Sequence, residues 1–272
     1  MKTKLTGFIV AAFLLINISM AFAAEKLVQV GTQADNVGTS YINEKGVLTG
    51  FEVEVLREID QRLPDYAFEY KTMDFATLFI ALGSKKLDLI TSNIQWSAER
   101  EKKYLFTKET FYSTPYKLVV KESENSIKSF RDLTGKKVGL LGTGLQAKVF
   151  ADYVERGKLE VEVVPGKSNT ELVSLLFADR VDALVLPEHQ AVVFKKYRDR
   201  ALKTVGKGLI PLNLTVSEVG AHFLTGKEDV ALRDRLDWAL QSLRKDGTLS
   251  RLSIEWFGQD FTVPFDVEEV GK

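Results

Sequence analysis

The sequence predicts an α/β protein built as two lobes, each a mixed and mainly parallel sheet flanked by helices. Two observations predict this fold class. Apolar strands alternate with amphipathic helices along the chain, and one helix–turn–strand unit occurs twice, 94 residues apart. Such alternation with short connections is typical of parallel strands joined by helices. The 272 residues suffice for one large domain or for two lobes.

The first 23 residues have the pattern of an export signal rather than of a folded segment. Lys2 and Lys4 precede an apolar stretch over residues 5–18, and residues 21–23 (AFA) form a small-x-small cleavage sequence. The stretch is short for a transmembrane helix, although an uncleaved anchor is the alternative. No cysteine follows, so we expect no lipid anchor. We expect a mature protein from about residue 24, located outside the cytoplasmic membrane.

Charge and composition exclude several classes of function. The chain has 37 Lys and Arg against 37 Asp and Glu, and loss of Lys2 and Lys4 with the signal leaves a net charge of −2. Nucleic acid is therefore not an expected partner, because phosphate binding needs a basic face. Without cysteine there are no disulfides or thiolate sites, and His189 and His222 show no ligand spacing, so we expect no metal or cofactor.

The first elements form a β-α-β unit. Residues 28–32 predict a buried strand, and residues 50–63 a helix with apolar side chains every four residues. Asp74 can cap a second helix that ends at Gly83, and residues 87–91 predict the next strand. A shift of 94 residues places this second helix and its strand on a later copy. The repeat predicts two lobes of similar design.

The second lobe has its own series of elements. The expected strands cover residues 116–121, 137–141 and 161–164, and the expected helix covers residues 145–156. Ser129 begins a capping-box pattern. A long helix over residues 229–245 is expected to pack on the first lobe, and the acidic tail from residue 260 to be partly loose.

The resulting organisation divides the chain into five parts. After a signal peptide at residues 1–23, lobe 1 takes residues 24–115 and 216–259, lobe 2 takes residues 116–215, and the tail takes residues 260–272. The ends of the two matching strands are Asn93 in one lobe and Pro187 with Glu188 in the other. Ligands of open α/β sheets bind beyond the C-terminal ends of strands, so these ends predict a cleft between the lobes.

A candidate carboxylate site follows the first of these strands. Asn93 and Gln95 alternate onto one side of the chain, Arg100 comes seven residues after Asn93, and Phe75 lies 25 residues before the arginine. A guanidinium can hold a carboxylate through two parallel hydrogen bonds, and an aromatic ring can cover an apolar part. Each residue also has an alternative interpretation. Arg100 can be a solvated surface charge, Phe75 can belong to the hydrophobic core, and Asn93 and Gln95 can be ordinary polar residues of a loop.

Two other patterns are weaker. Gly142, Thr143 and Gly144 precede a helix whose free amides suit an anion, but the complete glycine pattern and the lysine of a nucleotide site are missing. Glu188 and His189 form an acid/base pair in sequence, which is a poor catalytic signature without a third group.

Short motifs spread in order over nearly the whole mature chain carry a resemblance to a known family. They are VGT at 30–32, TGFEVE at 49–54, LGSKKLD at 82–88, ER at 99–100, YLFT at 104–107, DLTGKKVG at 132–139, DA at 182–183, DGT at 246–248 and WFG at 256–258. The chain resembles the periplasmic substrate-binding proteins of polar amino-acid ABC importers, which have the two-lobed type II periplasmic-binding fold. The resemblance implies a monomeric receptor that closes around an amino-acid-like carboxylate and delivers it to a membrane ABC permease. Hinges are then expected near residues 111–116 and 213–219.

The resemblance also implies roles for residues of lobe 1. Arg100 would hold the α-carboxylate of the ligand, and Phe75 would form the aromatic wall over its side chain. Asn93 and Gln95 would hold the ammonium and carboxylate groups. Gln33 stands where relatives often carry an acidic residue that contacts the side chain or amine.

In lobe 2, the resemblance implies that Thr143 and Gly144 supply backbone amides to the carboxylate. This sequence departs from the family pattern at Pro187, where an aspartate usually pairs with the ammonium, and Glu188 is a possible replacement. The loop after Val138 is also one residue short.

The ligand and the activity have alternatives. The run REKKYLF at residues 100–106 is similar to that of members that bind cystine and other sulfur amino acids. One alternative function is a periplasmic dehydratase acting on a cyclic carboxylate on the same fold, with Glu188 as its general acid. Another is a sensor that presents its closed form to a membrane receptor.

Overall fold

Two five-stranded mixed sheets organise the protein. The structure is a computed structural model, and it describes residues 25–142, 145–212, 214 and 219–268. Both sheets are flanked by helices, which confirms the predicted α/β class. No helix in the described part of the chain is long and apolar enough to cross a membrane.

The first sheet combines the early strands with a late one. In spatial order its strands are β5 (Tyr66–Thr72), β1 (Lys26–Thr32), β6 (Leu89–Gln95), β13 (Ala221–Gly226) and β7 (Tyr104–Phe106). β1 pairs in parallel with β5 and β6, whereas β13 pairs antiparallel with β6 and β7. The predicted strand over residues 87–91 instead runs on to Gln95, because Ile94 and Gln95 pair with His222 and Ala221 of β13.

The second sheet lies between the two parts of the first along the chain. In spatial order its strands are β10 (Glu162–Gly166), β9 (Lys137–Leu141), β11 (Ala183–Pro187), β8 (Tyr116–Lys121) and β12 (Leu202–Leu209). β9 pairs in parallel with β10 and β11, whereas β8 pairs antiparallel with β11 and β12. A small antiparallel sheet consists of β2 (Asp35–Asn36), β3 (Ser40–Ile42) and β4 (Leu48–Thr49).

The helices cover both faces of each large sheet. They are α1 (Phe51–Arg62), α2 (Phe75–Gly83), α3 (Ala98–Glu101), α4 (Leu145–Gly157), α5 (Asn169–Phe177), α6 (Glu188–Arg198), α7 (Val230–Lys245) and α8 (Thr248–Phe257). The helices predicted over residues 50–63, 145–156 and 229–245, and the one after Asp74, are confirmed within a few residues. Ser129 caps a 3₁₀ turn over Phe130–Leu133 with the expected capping box.

Each sheet is buried by two hydrophobic clusters. On the first sheet, α1, α7 and α8 bury one face, and α2 buries the other through Leu78 and Leu82. On the second sheet, α4 and the 3₁₀ turn pack on one face, and α5 and α6 pack on the other. The strands are therefore apolar on both sides, as is typical of sheets covered by helices on both faces.

The C-terminal segment differs from the expected loose tail. Val267 pairs with Gly208 of β12, and the backbone N–H groups of Gly208 and Glu268 donate to Asp266 O and Gly208 O, both at 2.8 Å. Phe261 is buried in the hydrophobic cluster of the first sheet, and backbone groups of an edge strand order residues 266–268.

Candidate functional site

A cavity of 710 Å³ opens at the C-terminal end of β6. Its lining residues are Phe75, Ala76, Phe79, Asn93, Gln95, Trp96, Ser97, Glu99, Arg100, Lys103, Tyr104 and Leu145. The cavity thus brings together four of the predicted site residues: Phe75, Asn93, Gln95 and Arg100. Leu145 is the first residue of α4, so a helix that covers the second sheet also reaches the cavity.

Asn93 lies where β6 leaves regular strand geometry. Its φ of 49° falls in the left-handed region, which asparagine adopts more readily than most residues. The pairing of β6 with β13 shifts register at this point, between His222 and Leu224. The side-chain oxygen Oδ1 of Asn93 is buried and has no hydrogen-bond partner among the described residues. An acceptor in this state is available to a donor on a ligand.

Gln95 connects the end of β6 to two neighbours. Its backbone oxygen accepts a hydrogen bond from Arg100 Nη1 at 3.1 Å. Its Oε1 accepts one from the Tyr116 hydroxyl at 3.4 Å. Tyr116 begins β8 of the second sheet, and burial raises its pKa to about 12. Gln95 therefore joins the two sheets beside the cavity.

Arg100 is held between the end of β6 and two aromatic rings. Ser97 caps the short helix α3 by accepting a hydrogen bond from Arg100 N at 3.3 Å. The guanidinium carbon lies 5.7 Å from the ring centroid of Phe75 and 5.0 Å from that of Phe79. Burial lowers the pKa of the guanidinium and the charge of Glu99 raises it, and the group remains charged.

The positive charge of Arg100 has no carboxylate partner in the described part of the chain. In residues 25–142, 145–212, 214 and 219–268, no carboxylate lies within 4.0 Å of its guanidinium. One of its nitrogens is taken by Gln95 O, and the planar fork can still bind an anion. A half-buried cation between rings, without an acidic partner, suits a ligand carboxylate.

Phe75 serves the hydrophobic cluster and the cavity together. Its ring meets that of Phe79 edge-on at 5.1 Å, and both rings pack against the cluster that contains Leu78. The core interpretation and the site interpretation of Phe75 are therefore compatible.

Gln33 does not line the cavity. Its Oε1 accepts hydrogen bonds from Asn36 Nδ2 at 3.0 Å and from Ser92 Oγ at 2.8 Å. Its backbone oxygen accepts one from Ser40 Oγ at 2.7 Å. The side chain thus reaches the residue before Asn93 rather than the open space of the cavity.

Glu188 and His189 also lie outside the cavity lining, at the start of α6. Glu188 N donates to Pro115 O at 3.0 Å. Burial raises the pKa of the Glu188 carboxyl, while Lys117 and a hydrogen bond with Gln259 lower it. The buried His189 ring packs edge-on against Tyr112 at 5.7 Å, and burial lowers its pKa to about 3. The two side chains have separate partners and do not form an acid/base pair.

Two predicted residues cannot be placed at the cavity, and several residues that were not predicted line it. Thr143 and Gly144 lie outside the described residues, although Leu145 directly after them lines the cavity. Phe79 was missed because its four-residue spacing from Phe75 indicates a core stripe. Lys103 and Tyr104 were missed because no local pattern shows that β7 approaches α2, where the Tyr104 hydroxyl donates to Phe79 O at 3.0 Å.

Two α/β units reach this cavity, and its aromatic walls and an arginine without a carboxylate partner in the described part of the chain suit a small ligand that carries a carboxylate. The sequence profile of the bacterial extracellular solute-binding proteins, family 3, matches residues 28–259, and the chain belongs to this family. The predicted family is thereby confirmed.

Similar proteins agree with this assignment over nearly their full length. The L-cystine-binding protein TcyK of Bacillus subtilis is 35% identical, with 96% of this chain and 98% of that protein covered. The crystal structure of the "probable amino-acid ABC transporter extracellular-binding protein ytmK" of Bacillus subtilis is 34% identical with a TM-score of 0.78, and it covers 86% of this chain and 98% of that one. The unliganded, open L-cystine solute receptor of Neisseria gonorrhoeae, at 24% identity, has a TM-score of 0.72 and covers 89% and 97%. At this identity it shows the fold alone.

These findings define the class of activity. The family consists of extracytoplasmic solute-binding proteins of ABC transporters, not of enzymes, and its members bind amino acids. The comparisons give no support to the dehydratase alternative.

Proposed function

We propose that this protein is a periplasmic receptor that binds a polar or sulfur-containing amino acid, with cystine as the first candidate, and delivers it to an ABC importer. The observation that carries the proposal is Arg100, a half-buried cation in the cavity without an acidic partner among the described residues. Names of the relatives at 34–35% identity support cystine or another amino acid as the ligand.

The contacts of the lobe 1 residues support the following roles. Arg100 binds the α-carboxylate, and the buried Oδ1 of Asn93 accepts a hydrogen bond from the ammonium. Phe75 and Phe79 cover the apolar part of the ligand. Gln95 orients Arg100 through its backbone oxygen.

The remaining predicted residues take less direct roles in this proposal. Thr143 and Gly144 supply backbone amides from lobe 2 to the ligand carboxylate, and they directly precede Leu145, which lines the cavity. Gln33 supports the ligand-binding strand through Ser92. Glu188 reaches the ammonium only if the start of α6 approaches when the lobes close, in place of the usual aspartate at Pro187.

Closure of the lobes is the proposed signal to the permease. We assign residues 24–115 and 216–259 to lobe 1 and residues 116–215 to lobe 2, with hinges near residues 111–116 and 213–219. A ligand that touches both lobes favours the closed state by its differential contacts. We further propose that the signal peptide is cleaved and that the mature protein acts as a monomer with a membrane permease.

Thermal unfolding of mature, refolded protein tests the proposed function. The panel contains standard amino acids, L-cystine and small cyclic carboxylates, and refolding removes any ligand retained through purification. A ligand at a thousand times its dissociation constant adds about 4 kcal/mol, which raises the melting temperature by roughly 8–16 °C at this size. A response to L-cystine or another amino acid is expected. A response to cyclic carboxylates alone would contradict the proposal.

A further inference from the structure

We infer that Glu52 is a positioning residue that fixes the ligand-binding end of β6 and couples it to the segment joining the two lobes. The inference rests on the proposed function, since it concerns how ligand binding and lobe closure are linked. Glu52 does not line the cavity and is only 1% exposed.

Three donors from separate parts of the chain meet on the Glu52 carboxylate. Thr91 Oγ1 donates to Oε2 at 2.9 Å, and Asn93 N donates to the same oxygen at 3.1 Å. The Tyr112 hydroxyl donates to Oε1 at 3.0 Å. Burial raises the pKa of this carboxyl, and the three hydrogen bonds oppose the rise. Both oxygens are used as acceptors, so the side chain cannot move without leaving a buried donor unpaired.

The bond to Asn93 N acts on the geometry of the site. Asn93 is in the left-handed region with φ 49°, and its backbone N–H turns to Glu52 instead of to a neighbouring strand. This conformation sets the direction of the Asn93 side chain, whose Oδ1 is the unpaired acceptor. Loss of the carboxylate would therefore misplace a ligand contact that Glu52 itself does not make.

The bond to Tyr112 acts on the connection between the sheets. Tyr112 lies between β7 of the first sheet and β8 of the second, and it bridges Ala221. Its ring packs edge-on against His189 of α6 at 5.7 Å and lies 6.1 Å from the ring of Phe257 in α8. Because this ring packs against both α6 and α8, Glu52 is connected both to the ligand strand and to the segment that joins the two sheets.

The test replaces Glu52 with an apolar side chain of similar length. We expect E52M to weaken the binding of L-cystine about tenfold or more in calorimetry, because Asn93 N loses its acceptor. E52Q keeps one acceptor oxygen for Thr91 and Asn93, so we expect affinity close to that of the wild type. The matched control is E54M on the same helix, since Glu54 pairs with Arg57 and Thr49 away from the cavity. An unchanged affinity in E52M would overturn the inference.

A double-mutant cycle separates positioning from general destabilisation. In N93G the side chain that Glu52 positions is absent, so adding E52M should cost little further affinity. Fully additive losses of affinity would mean that Glu52 does not act through the Asn93 side chain, which would overturn the positioning role. If E52M does not fold, Y112F removes one bond to Glu52 and keeps the ring. We then expect Y112F to weaken L-cystine binding, and no change would overturn the coupling.

A second readout needs no ligand. The chain contains no cysteine, so Lys71→Cys at the end of β5 and Lys148→Cys on α4, both exposed, place one spin label in each lobe. We expect E52M and Y112F to broaden the distance distribution between the labels, and E54M to leave it unchanged. If wild-type protein binds no L-cystine, the cystine proposal fails, and this distribution alone decides the role of Glu52. An identical distribution in E52M and wild type would then refute it.

Discussion

The two lobes repeat one design and differ at the point where their matching strands end. Their sheets have corresponding strand orders, with β5, β1, β6, β13 and β7 equivalent to β10, β9, β11, β8 and β12. The turn after each matched helix has a left-handed residue, Lys85 with φ 58° and Asp179 with φ 55°, 94 positions apart. The aspartates directly before the matched strands, Asp88 and Asp182, accept equivalent backbone hydrogen bonds at 2.8 and 2.7 Å.

The same comparison isolates what is specific to ligand binding. At the second position of the equivalent helices α1 and α4 stand two buried polar side chains, Glu52 and Gln146. Gln146 donates to the backbone oxygen of Val185, which is 94 residues after Thr91, the residue that donates to Glu52. Beyond this point β6 continues as a polar strand, whereas β11 ends at Pro187 and turns directly into α6. The two lobes therefore share the packing of helices on their sheets. The polar end of β6 distinguishes lobe 1, which contains most of the candidate site.

The largest expected effect is a loss of stability, and it tests whether the matched helices α2 and α5 pack on their sheets in the same way. Leu78 and Leu172 occupy matching positions in the two lobes, and both are fully buried. A methyl group of Leu78 lies close to Gly31, and a methyl group of Leu172 lies close to Gly139, because neither glycine has a side chain there. Leu78→Ala and Leu172→Ala should each lower the free energy of unfolding by about 3–5 kcal/mol, through lost burial and an unfilled cavity. Urea unfolding measures both.

Ile80→Ala is the control for this pair, because Ile80 lies on α2 but is 70% exposed. It should cost far less than either leucine substitution. If one leucine substitution were as mild as the control, the two packing arrangements would not be equivalent.

The next largest effect is a loss of ligand affinity, and it tests whether the ligand carboxylate is bound by lobe 1. Arg100→Ala should weaken binding of the amino acid found in the thermal panel by roughly 10- to 150-fold, because a charge-assisted bond contributes about 1.5–3 kcal/mol. Arg156→Ala, at the exposed end of α4 in the other lobe, is the matched control and should leave the affinity unchanged. Calorimetry at fixed salt measures both. Equal affinities of the Arg100 variant and the wild type would remove Arg100 from the site.

The local signals in the sequence predict most of the fold. Apolar periodicity and caps place the helices after Gly50 and Asp74 and those over residues 145–156 and 229–245, because helices depend on contacts between near neighbours. The extension of β6 to Gln95 depends on β13, about 130 residues later in the chain. The pairing of Val267 with Gly208 also joins residues that are far apart in the chain. Contacts of this kind leave no periodic pattern in the sequence.

The sequence predicted those residues of the candidate site that lie close together in the chain, and it was less successful for residues whose contacts are distant in sequence. Asn93, Gln95 and Arg100 belong to one strand end and the helix after it, and they share the cavity. Gln33 and Glu188 stand at sequence positions that suit a ligand, but their side chains bond to Ser92 and Gln259 instead. Glu52 was not selected, since a glutamate near a helix start indicates a favourable helix dipole and not a buried hydrogen-bonding group.

A third effect concerns the junction between the lobes. Burial lowers the pKa of His189 from 6.5 to about 3, so between these values the unfolded chain binds a proton that the folded protein does not. The contribution of His189 to stability is therefore complete above pH 6.5 and decreases as the pH falls below it. From pH 7 to pH 5 the wild type should lose roughly 2 kcal/mol more than His189→Phe.

Urea unfolding at the two pH values checks this, with His222→Phe as a comparison on β13 of the first sheet. Burial also lowers the pKa of His222, while its hydrogen bond to Thr107 O raises it, so its variant should change the pH slope in the same direction. The raised pKa values of Glu52 and Glu188 make stability decrease as the pH rises, which is opposite to the effect of the histidines. This contribution is the same in the wild type and in both variants, so it cancels in the comparison. A His189→Phe protein with the wild-type slope would show that His189 is accessible to protons in the folded state.

The smallest effect compares the caps of the matched helices, Asp74 on α2 and Ser168 on α5. Ser168 Oγ accepts from Glu171 N at 3.1 Å, and Asp74 Oδ1 accepts from Thr77 N at 3.0 Å. Ser168→Ala should cost about 1 kcal/mol at every pH. Hydrogen bonds from Thr77 lower the pKa of the Asp74 carboxyl below 3.8, so its contribution is present above that pH and is lost as the pH falls through the lowered pKa.

Chemical unfolding from pH 7 to pH 3 separates the two caps. The difference between Asp74→Ala and the wild type should shrink toward pH 3, whereas that of Ser168→Ala should stay constant. Asp74→Asn keeps an acceptor without the charge and should remove the pH dependence while retaining most of the cap. A difference in unfolding free energy between Asp74→Ala and the wild type that did not change with pH would mean that the ionised carboxylate is not the capping group. The caps of the two helices would then both be independent of pH.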